Sequence, residues 1–439
     1  MPASSTDSEG HLHLAPKTPL PLAIATAVIC ALVLALPLMM GQRTPETLTA
    51  TLLTLVFGSL MAAGLAIGSG HMRLPERGWL WFAGLFTTLV ILQVLPSMTL
   101  ARWFGPYPDA LWAHPEFNPT HWSPDPGATL RAWAAFVALF AIAWMGHSLP
   151  RRLRYWILMA IAGMGLFQAL YGLLAHAAGA EYVLGLWERN STNFVNGTYS
   201  NRNLYAAYLA LTWPLAVGIW WIRKVPLLGR LPRELKVTGS ILCGSIIGAA
   251  MMGSVSRLGA SAGIFGMLLT LVLWARHRRI IDGAAIWPAY LAATGAVIAA
   301  IWYGLTPLAE RLLATTGEEV RLEVFAIMLW EFPARWHLHG VGLGGFEAAF
   351  RPFQPGHISG WFDYAHNDAL QWLIETGVPG ILLAGSVVVA LLRRGRLTTE
   401  RISLYAGLAA MCLVALGDFS WHIPGTQVVL AFFVGVLLR

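Results

Sequence analysis

The sequence predicts an all-α, polytopic integral membrane protein, and three observations support this prediction. First, 56% of the 439 residues are hydrophobic and only 12% are charged, whereas a soluble chain of average composition carries about 25% charge. Second, apolar runs of about 20 residues, long enough to cross a bilayer as a helix, recur along the chain. Third, tryptophan is abundant at 20 residues, as expected for side chains that lie at lipid headgroups. These features exclude a disordered chain, a coiled coil and a secreted disulfide scaffold.

Hydropathy predicts about twelve spanning helices. They cover residues 20–40, 48–70, 79–98, 128–147, 155–178, 203–222, 238–255, 258–274, 284–305, 369–392, 402–418 and 424–438. The first run is followed by no cleavage-site pattern, so we interpret it as a retained helix rather than a signal peptide. The predicted units are a disordered cytoplasmic tail at 1–19, helices one to nine at 20–305, a large loop with short helices at 306–368, and helices ten to twelve at 369–439.

The Lys and Arg residues divide unevenly between the two sets of alternate loops. Nineteen of the 29 fall on one side and nine on the other, with Arg131 near a helix start. Because basic loops face the cytoplasm, both termini are predicted to be cytoplasmic and the long loops near 99–127, 179–202 and 306–368 to be outside. The net charge of +7 is then attributed to the cytoplasmic loops and not to nucleic-acid binding.

Several common enzyme signatures do not occur in the sequence. It contains no P-loop, no H-E-x-x-H, no paired C-x-x-C and no D-x-D motif, so neither a metal site nor a cofactor is predicted. The three cysteines lie in apolar runs without partners at metal-ligand spacing. A G-x-G-x-x-G motif occurs at 340–345, but no buried strand precedes it. A tight loop that allows close backbone approach is therefore favoured over dinucleotide binding.

Two arginines occur where an outer loop meets a predicted helix. Arg202 lies in the polar segment 196–203, in which Asn201 or Asn203 could cap the helix. Arg257 lies between two apolar runs joined by almost no loop, and therefore near or within the membrane. An interfacial arginine and a buried ion pair are the structural alternatives. A guanidinium beside a helix N-terminus can also bind an anion, because its forked donors add to the positive end of the helix dipole.

A third arginine, Arg321, lies in the large loop. It shares one face of a short amphipathic helix with Val324, Phe325 and Met328. An i,i+3 pair with Glu318 is the structural alternative to a role in binding. Arg311, Arg335 and Arg351 lie in the same loop and are rival candidates.

A histidine, His366, lies where the large loop meets the next membrane helix. A neutral imidazole at this place can accept a proton, although a hydrogen-bonded structural role is the alternative. His337, His339 and His357 are rival candidates in the same loop. The residues that could cap the helix or orient the ring are Asp363, Asn367 and Asp368, and the Gly-Val-Pro-Gly sequence at 377–380 should kink the helix.

Taken together, the three arginines and the histidine suit one kind of substrate. Several arginines provide the donors and the positive charge that a diphosphate requires. A histidine suits removal of a proton from an alcohol. A molecule with a diphosphate, a sugar and a membrane tail would place its reactive bond at this depth, and a diphosphate clamped by arginines leaves without strictly requiring a metal.

These segments resemble the O-antigen ligase and polymerase superfamily of bacterial membrane proteins. The resemblance runs from about 190 to 390 and rests on 197–203, 256–259, Arg321, 340–344 and the block from His366-Asn367 to Glu375-Thr376-Gly377. As a set the motifs are fairly specific, whereas each alone is weak.

The resemblance implies a GT-C-type helical fold with a periplasmic site in the bacterial inner membrane. It implies inverting, metal-independent transfer of a glycan from undecaprenyl diphosphate to a sugar hydroxyl. Arg202, Arg257 and Arg321 would bind the diphosphate and His366 would be the general base. The residues expected to support them are Asn201, Asn203, Asn367, Gly342 and Gly344.

Three functions are compatible with these features. A ligase, which transfers the glycan to lipid A–core, is the first choice, and a polymerase, which uses the next lipid-linked repeat unit as acceptor, is the second. A transporter of the same lipid-linked glycan is disfavoured, because nearly all predicted spans lack charged residues in their interiors and only Asp418 lies near a span end.

Overall fold

A computed structural model describes most of the chain. The described residues are 18–41, 44–70, 72, 74–96, 121–276, 318–358, 360, 362–394 and 397–439. The predicted ninth span at 284–305 and nearly all of the predicted tail lie outside these residues. In the segment that begins at residue 318, the side chains are described from residue 320 onward.

The described part of the chain is helical, apart from one short hairpin. The helices are α1 Leu20–Leu38, α2 Pro45–Gly68, α3 Arg77–Val94, α4 Pro126–Ser148, α5 Arg151–Ala177, α6 Arg202–Gly218, α7 Arg233–Gly253, α8 Arg257–Arg276, α9 Glu318–Ala326, α10 Ala334–His339, α11 Phe346–Phe350, α12 Asp368–Arg393, α13 Thr399–Val414 and α14 Pro424–Leu438. The hairpin pairs β1, Tyr182–Val183, with β2, Trp187–Glu188, in antiparallel register. The all-α prediction is therefore confirmed for these residues.

The long helices coincide with the predicted spans. Nine helices within the described residues, α1 to α8 and α12, are long and apolar enough to cross a membrane. The last two predicted spans form shorter helices, with 16 residues in α13 and 15 in α14. Eleven of the predicted spans thus have a helix in the structure. The chain is a multi-pass membrane protein.

Helix α6 lies at the centre of the bundle, because small residues on its neighbours allow close packing. Every residue from Leu204 to Gly218 is buried. A Cβ on Gly407 of α13 would lie 2.4 Å from the Leu211 carbonyl, and one on Gly259 of α8 would lie 2.4 Å from the Ala206 Cβ. Close approach through small residues is typical of helix packing in membranes. This packing places Arg202, the first residue of α6, at one end of the bundle core.

The two ends of the bundle are identified by contacts between loops. One end, called the site end, holds the start of α6 with Arg202. There the Ser200 amide donates to the Met40 carbonyl at 2.9 Å, and the Val195 amide donates to the Gly253 carbonyl at 2.9 Å. At the far end, which holds residues 149–155, Glu400 and Arg439, the Tyr155 hydroxyl donates to Glu400 Oε2 at 3.0 Å. Helices α6 and α8 begin at the site end, because the chain reverses direction at each of the helices α6, α7 and α8. Helix α12 begins there too, since the Asp368 amide donates to the Asp418 carbonyl at 3.2 Å and Gly417 lies against Leu258 of α8.

The segment 318–358 forms a small unit of short helices at the site end. Helices α9, α10 and α11 enclose an apolar core of Val324, Met328, Trp336, Phe346 and Phe350. The Val341 amide donates to the Ile374 carbonyl at 2.8 Å, which joins this unit to α12. The unit is thereby held against the start of α12, where the candidate histidine lies.

Candidate active site

His366 lies immediately before α12, at a position with unusual backbone geometry. Its φ of 55° is in the left-handed region, which few non-glycine residues adopt. The next residue, Asn367, caps α12, since its Oδ1 accepts a hydrogen bond from the Leu370 amide at 2.9 Å. The imidazole packs edge-on against the Phe419 ring, with ring centroids 4.8 Å apart. These constraints hold the ring at the junction of loop and membrane helix, with its side chain 22% exposed.

Asp418 faces His366 from the loop between α13 and α14. Its Oδ1 lies 3.9 Å from His366 Nδ1, which is an electrostatic contact longer than a hydrogen bond. The carboxyl is buried, and burial raises its pKa to about 6, although the Phe419 amide donates to Oδ1 at 2.8 Å and the charge of Arg321 acts on it. At neutral pH Asp418 is therefore mainly a carboxylate. Sequence reasoning noted Asp418 only as a charge near a span end, because its partner lies 52 residues earlier.

Arg321 joins the same group from the loop unit. Its Nη1 donates to the Gly417 carbonyl at 3.2 Å, next to Asp418 in the chain. Val324 of α9 and Met328, in the π-helical turn Ile327–Glu331 that continues it, are buried in the loop core. The predicted amphipathic face is therefore present, and it carries the guanidinium to the 415–419 segment.

Arg257 and Arg202 lie at the starts of two adjacent helices. Ser256 caps α8, its hydroxyl accepting from the Gly259 amide at 3.3 Å, so Arg257 is in the first turn. Asn201 caps α6 by accepting from the Asn203 amide at 2.8 Å, so Arg202 is also in the first turn. The Arg202 guanidinium lies over the Phe194 ring at 4.7 Å.

The close approach of α6 and α8 brings both N-termini to one place. Ala206 of α6 lies against Gly259 of α8, and a Cβ on Gly417 would lie 3.2 Å from Leu258, the neighbour of Arg257. The start of α8 therefore adjoins the segment that contacts Arg321 and His366. Two positive helix ends and their arginines face the site end of the bundle, an arrangement that suits an anion.

Comparison with protein-family models gives a match that covers part of this site. Residues 242–385 match the family model described as O-antigen ligase. This segment resembles the O-antigen ligase family. It holds Arg257, Arg321 and His366, whereas Arg202 and Asp418 lie on either side of it. Comparison with curated proteins and with solved structures gave no match.

The glycine motif of the matched segment forms a packed loop. Gly342 and Gly344 have φ values of 126° and 70°, and a Cβ on Gly342 would lie 2.5 Å from the Ser123 hydroxyl. Helix α10, not a strand, precedes the motif, which removes the context that a dinucleotide site requires. The tight-loop interpretation is therefore confirmed.

A buried carboxylate, Glu375, holds this loop. Its Oε2 accepts from the Gly344 amide at 2.8 Å and its backbone carbonyl accepts from the Gly342 amide at 3.1 Å. The Gln371 side chain donates to Glu375 Oε1 at 2.9 Å. Below this point Gly377, with φ 65° and ψ −169°, interrupts the helical geometry of α12, as its sequence predicted. Gly342 and Gly344, two of the positions expected to support the site, thus shape the loop that faces α12.

The rival histidines make other contacts. His337 Nε2 lies 3.0 Å from the Met328 carbonyl, and His339 packs on the Trp122 ring at 4.1 Å. Burial lowers the pKa of His339. His357 is exposed and lies 3.0 Å from Glu323. Each is accounted for by a local contact away from Asp418, and this favours His366 as the reactive histidine.

A second acid–histidine pair anchors the loop that carries Asp418. His422 Nδ1 lies 2.6 Å from Asp368 Oδ1, and the Trp421 amide donates to Asp368 Oδ2 at 3.0 Å. Burial disfavours the imidazolium, but the hydrogen bond with Asp368 and the charges of Asp368 and Glu375 outweigh it and raise the pKa of His422. The pair fastens the loop after α13 to the start of α12. Among the described residues, no group of three or more His, Cys, Asp and Glu side chains could hold a metal ion.

Proposed function

We propose that the protein is an O-antigen ligase-type glycosyltransferase that moves a glycan from undecaprenyl diphosphate to a sugar hydroxyl of lipid A–core at the periplasmic face. The observation that carries the proposal is the grouping of His366, Asp418 and Arg321 beside the N-terminus of α8. The family match to residues 242–385 supports a transferase of the ligase or polymerase type. A histidine alone would not indicate glycosyl transfer from a diphosphate. A histidine that can act as a base beside a group of arginines that can bind an anion does.

His366 acts as the general base of the transfer. Asp418 faces Nδ1, and a carboxylate there favours the tautomer with its proton on Nδ1, which leaves Nε2 to accept a proton. The acceptor oxygen attacks the anomeric carbon while the bond from that carbon to the diphosphate oxygen breaks. The hydroxyl proton passes to Nε2, and undecaprenyl diphosphate leaves. Attack from the face opposite the leaving group inverts the anomeric configuration.

The arginines bind and neutralise the diphosphate. Arg202 and Arg257 lie in the first turns of α6 and α8, where the helix dipoles add positive potential. Arg321 approaches the same place from the loop unit. As the bond breaks, negative charge grows on the bridging oxygen, and preorganised cations stabilise that charge more than they stabilise the bound donor. The three arginines therefore contribute both to donor binding and to the rate of transfer.

Reconstitution with two acceptors tests the proposal. The purified protein in liposomes receives undecaprenyl-diphosphate glycan with either lipid A–core or a lipid-linked repeat unit, and the labelled product is separated by size. A ligase labels lipid A–core only, whereas a polymerase extends the lipid-linked unit. Translocation without transfer to either acceptor would overturn the proposal in favour of a transporter. The His366→Gln protein is the inactive control.

A further inference from the structure

Four arginines collect at the far end of the bundle, opposite the candidate active site. This arginine cluster consists of Arg151, Arg154, Arg401 and Arg439. Arg151 and Arg154 lie in the first turn of α5, Arg401 lies in the first turn of α13, and Arg439 follows α14. The charges of Arg151 and Arg439, and of the carboxylate Glu400, act on the Arg154 guanidinium.

Three of the arginines have partners within the protein. Arg151 Nε donates to the Tyr155 hydroxyl at 2.6 Å, and that hydroxyl donates to Glu400. Arg401 Nη2 donates to the Leu437 carbonyl and Arg439 Nη1 to the Leu149 carbonyl. Carbonyls at the ends of helices are suitable acceptors for cations, because the helix dipole is negative there. These contacts explain why three of the four side chains are held where they are.

Arg154 lacks such an explanation. The residue is only 6% exposed, and its Nε has no hydrogen-bond partner among the described residues. The Arg401 Nε is unpartnered in the same way. A buried guanidinium with unmet donors costs several kcal/mol unless an anion compensates it. The nearby carboxylate of Glu400 attracts the guanidinium, but no hydrogen bond or ion pair joins the two side chains in the described part of the chain. A second carboxylate at this end, Glu76, lies 3.9 Å from His147 and is largely exposed.

Two helix N-termini add to the positive charge of the cluster. Helix α5 has 27 residues and begins after Pro150, which offers no side-chain cap. Helix α13 has 16 residues and is capped by Thr398, whose hydroxyl accepts from the Arg401 amide at 3.2 Å; its first turn contains Glu400 and Arg401. Helix N-termini attract anions through their free amides and their dipoles. The far end therefore combines two dipoles, four arginines and unmet buried donors.

We infer that the arginine cluster binds the phosphate of an anionic phospholipid headgroup. A lipid is favoured over a soluble anion because the cluster lies at the ends of membrane helices, beside side chains that suit contact with acyl chains. Trp156 is 38% exposed and Leu392 is 75% exposed at this end. Basic pockets between membrane helices are recognised sites for lipid phosphates. The site is remote from the glycan chemistry and serves the fold and its anchoring in the bilayer.

Thermal unfolding in detergent, with added lipid, tests the inference. The probes are dioleoyl phosphatidylglycerol, dioleoyl phosphatidylcholine and inorganic diphosphate, each titrated into the delipidated protein. We expect phosphatidylglycerol to raise the Tm of the unaltered protein in a saturable manner. Arg154→Met should weaken the apparent affinity by about tenfold or more, the effect of one lost charge-assisted hydrogen bond. In lipid-free detergent Arg154→Met should keep or exceed the unaltered Tm, because an uncompensated buried charge is removed.

A matched control lies two residues away on the same helix. Arg152 is exposed, and Arg152→Gln should retain the full response to phosphatidylglycerol. Arg439→Gln changes an exposed side chain of the cluster and should weaken the response even if Arg154→Met does not fold. An equal response in Arg152→Gln and the cluster variants would overturn the inference, and so would an equal response to phosphatidylcholine. A saturable response to diphosphate but not to phosphatidylglycerol, lost in Arg154→Met and kept in Arg152→Gln, would replace the lipid with a soluble anion.

Discussion

At the scale of single residues, His366 and Asp418 are proposed to act on the rate of transfer and the arginines on donor binding as well. The imidazole and the carboxylate face each other at 3.9 Å, whereas Arg202 and Arg257 lie at helix starts. Steady-state kinetics can separate these roles. Loss of a base lowers kcat, while loss of a ligand for the donor also raises the donor KM.

We expect His366→Gln to lower kcat by about 10²–10⁴-fold, the usual contribution of a general base. Glutamine can replace a hydrogen bond but cannot take up a proton at neutral pH. Binding of undecaprenyl diphosphate, measured by tryptophan quenching or a filter assay, should persist. His337→Gln is the control, since the contact of His337 with the Met328 carbonyl is structural. Near-normal turnover in His366→Gln would leave His366 as a loop anchor and return attention to the rival histidines.

Asp418→Asn should lower kcat by roughly 10²-fold with little change in the donor KM, because the amide no longer provides the charge that faces His366. The asparagine Oδ1 can still accept from the Phe419 amide, so the loop should keep its shape. An unchanged kcat in a folded Asp418→Asn protein would remove Asp418 from the mechanism.

The activity of the unaltered protein should fall as pH decreases through about 6, where Asp418 takes up a proton. A carboxyl whose pKa is raised by folding binds its proton more readily in the folded than in the unfolded state, so this protonation stabilises the fold. The loss of activity at acid pH should therefore be reversible, and protonation of Asp418 should not lower the Tm. Measurements of kcat and of Tm on the same samples between pH 5 and 8 test both expectations, the fall in activity and the unchanged stability.

At the scale of elements, the paired starts of α6 and α8 are proposed to form the anion site. Arg257→Ala should abolish transfer with little loss of protein, and Arg257→Lys should restore only part of it, because a lysine keeps the charge but loses the two-pronged fit to phosphate. Arg202→Ala should behave like Arg257→Ala. Arg351→Ala, at an exposed position of the loop unit, is the matched control and should stay near the unaltered rate. Unaltered transfer in Arg257→Ala would make it an interfacial arginine.

The glycine loop depends on backbone conformations that other residues rarely adopt. Gly342→Ala should destabilise the loop unit, with roughly 1–3 kcal/mol from backbone strain alone and a further clash with Ser123. Gly356→Ala is its control, because no atom lies within 4 Å of an added Cβ there. Limited proteolysis of the loop unit and the Tm report the difference. Equal protease resistance in the two variants would contradict a packed role for the loop.

At the scale of the whole molecule, the orientation in the membrane decides whether the site meets periplasmic substrates. In a protein without its three cysteines, Lys224→Cys should resist a membrane-impermeant thiol reagent in intact cells, whereas Gly356→Cys should react. Both positions are exposed, so access and not burial determines the result. The prediction follows from the distribution of Lys and Arg between loops. The reverse pattern would place the site in the cytoplasm and exclude the proposed acceptor.

Much of this molecule was predictable from local sequence. Apolar runs identify helices because each span must satisfy its own backbone hydrogen bonds within the bilayer. The caps Asn201 and Asn367 and the kink at Gly377 follow from residue types at fixed positions. The arginines and His366 stood out because ionisable groups are costly in apolar surroundings.

The partners of these residues were decided by tertiary structure alone. The sequence offered four loop histidines, and only packing placed Asp418 beside one of them and a backbone carbonyl or Glu323 beside the others. Glu375 reaches the glycine loop 31 residues earlier, and Arg321 reaches the Gly417 carbonyl 96 residues later in the chain. Sequence patterns report the environment that a residue requires, because burial and charge have local costs. Which distant side chain meets that requirement depends on how the helices pack, and no local pattern encodes this.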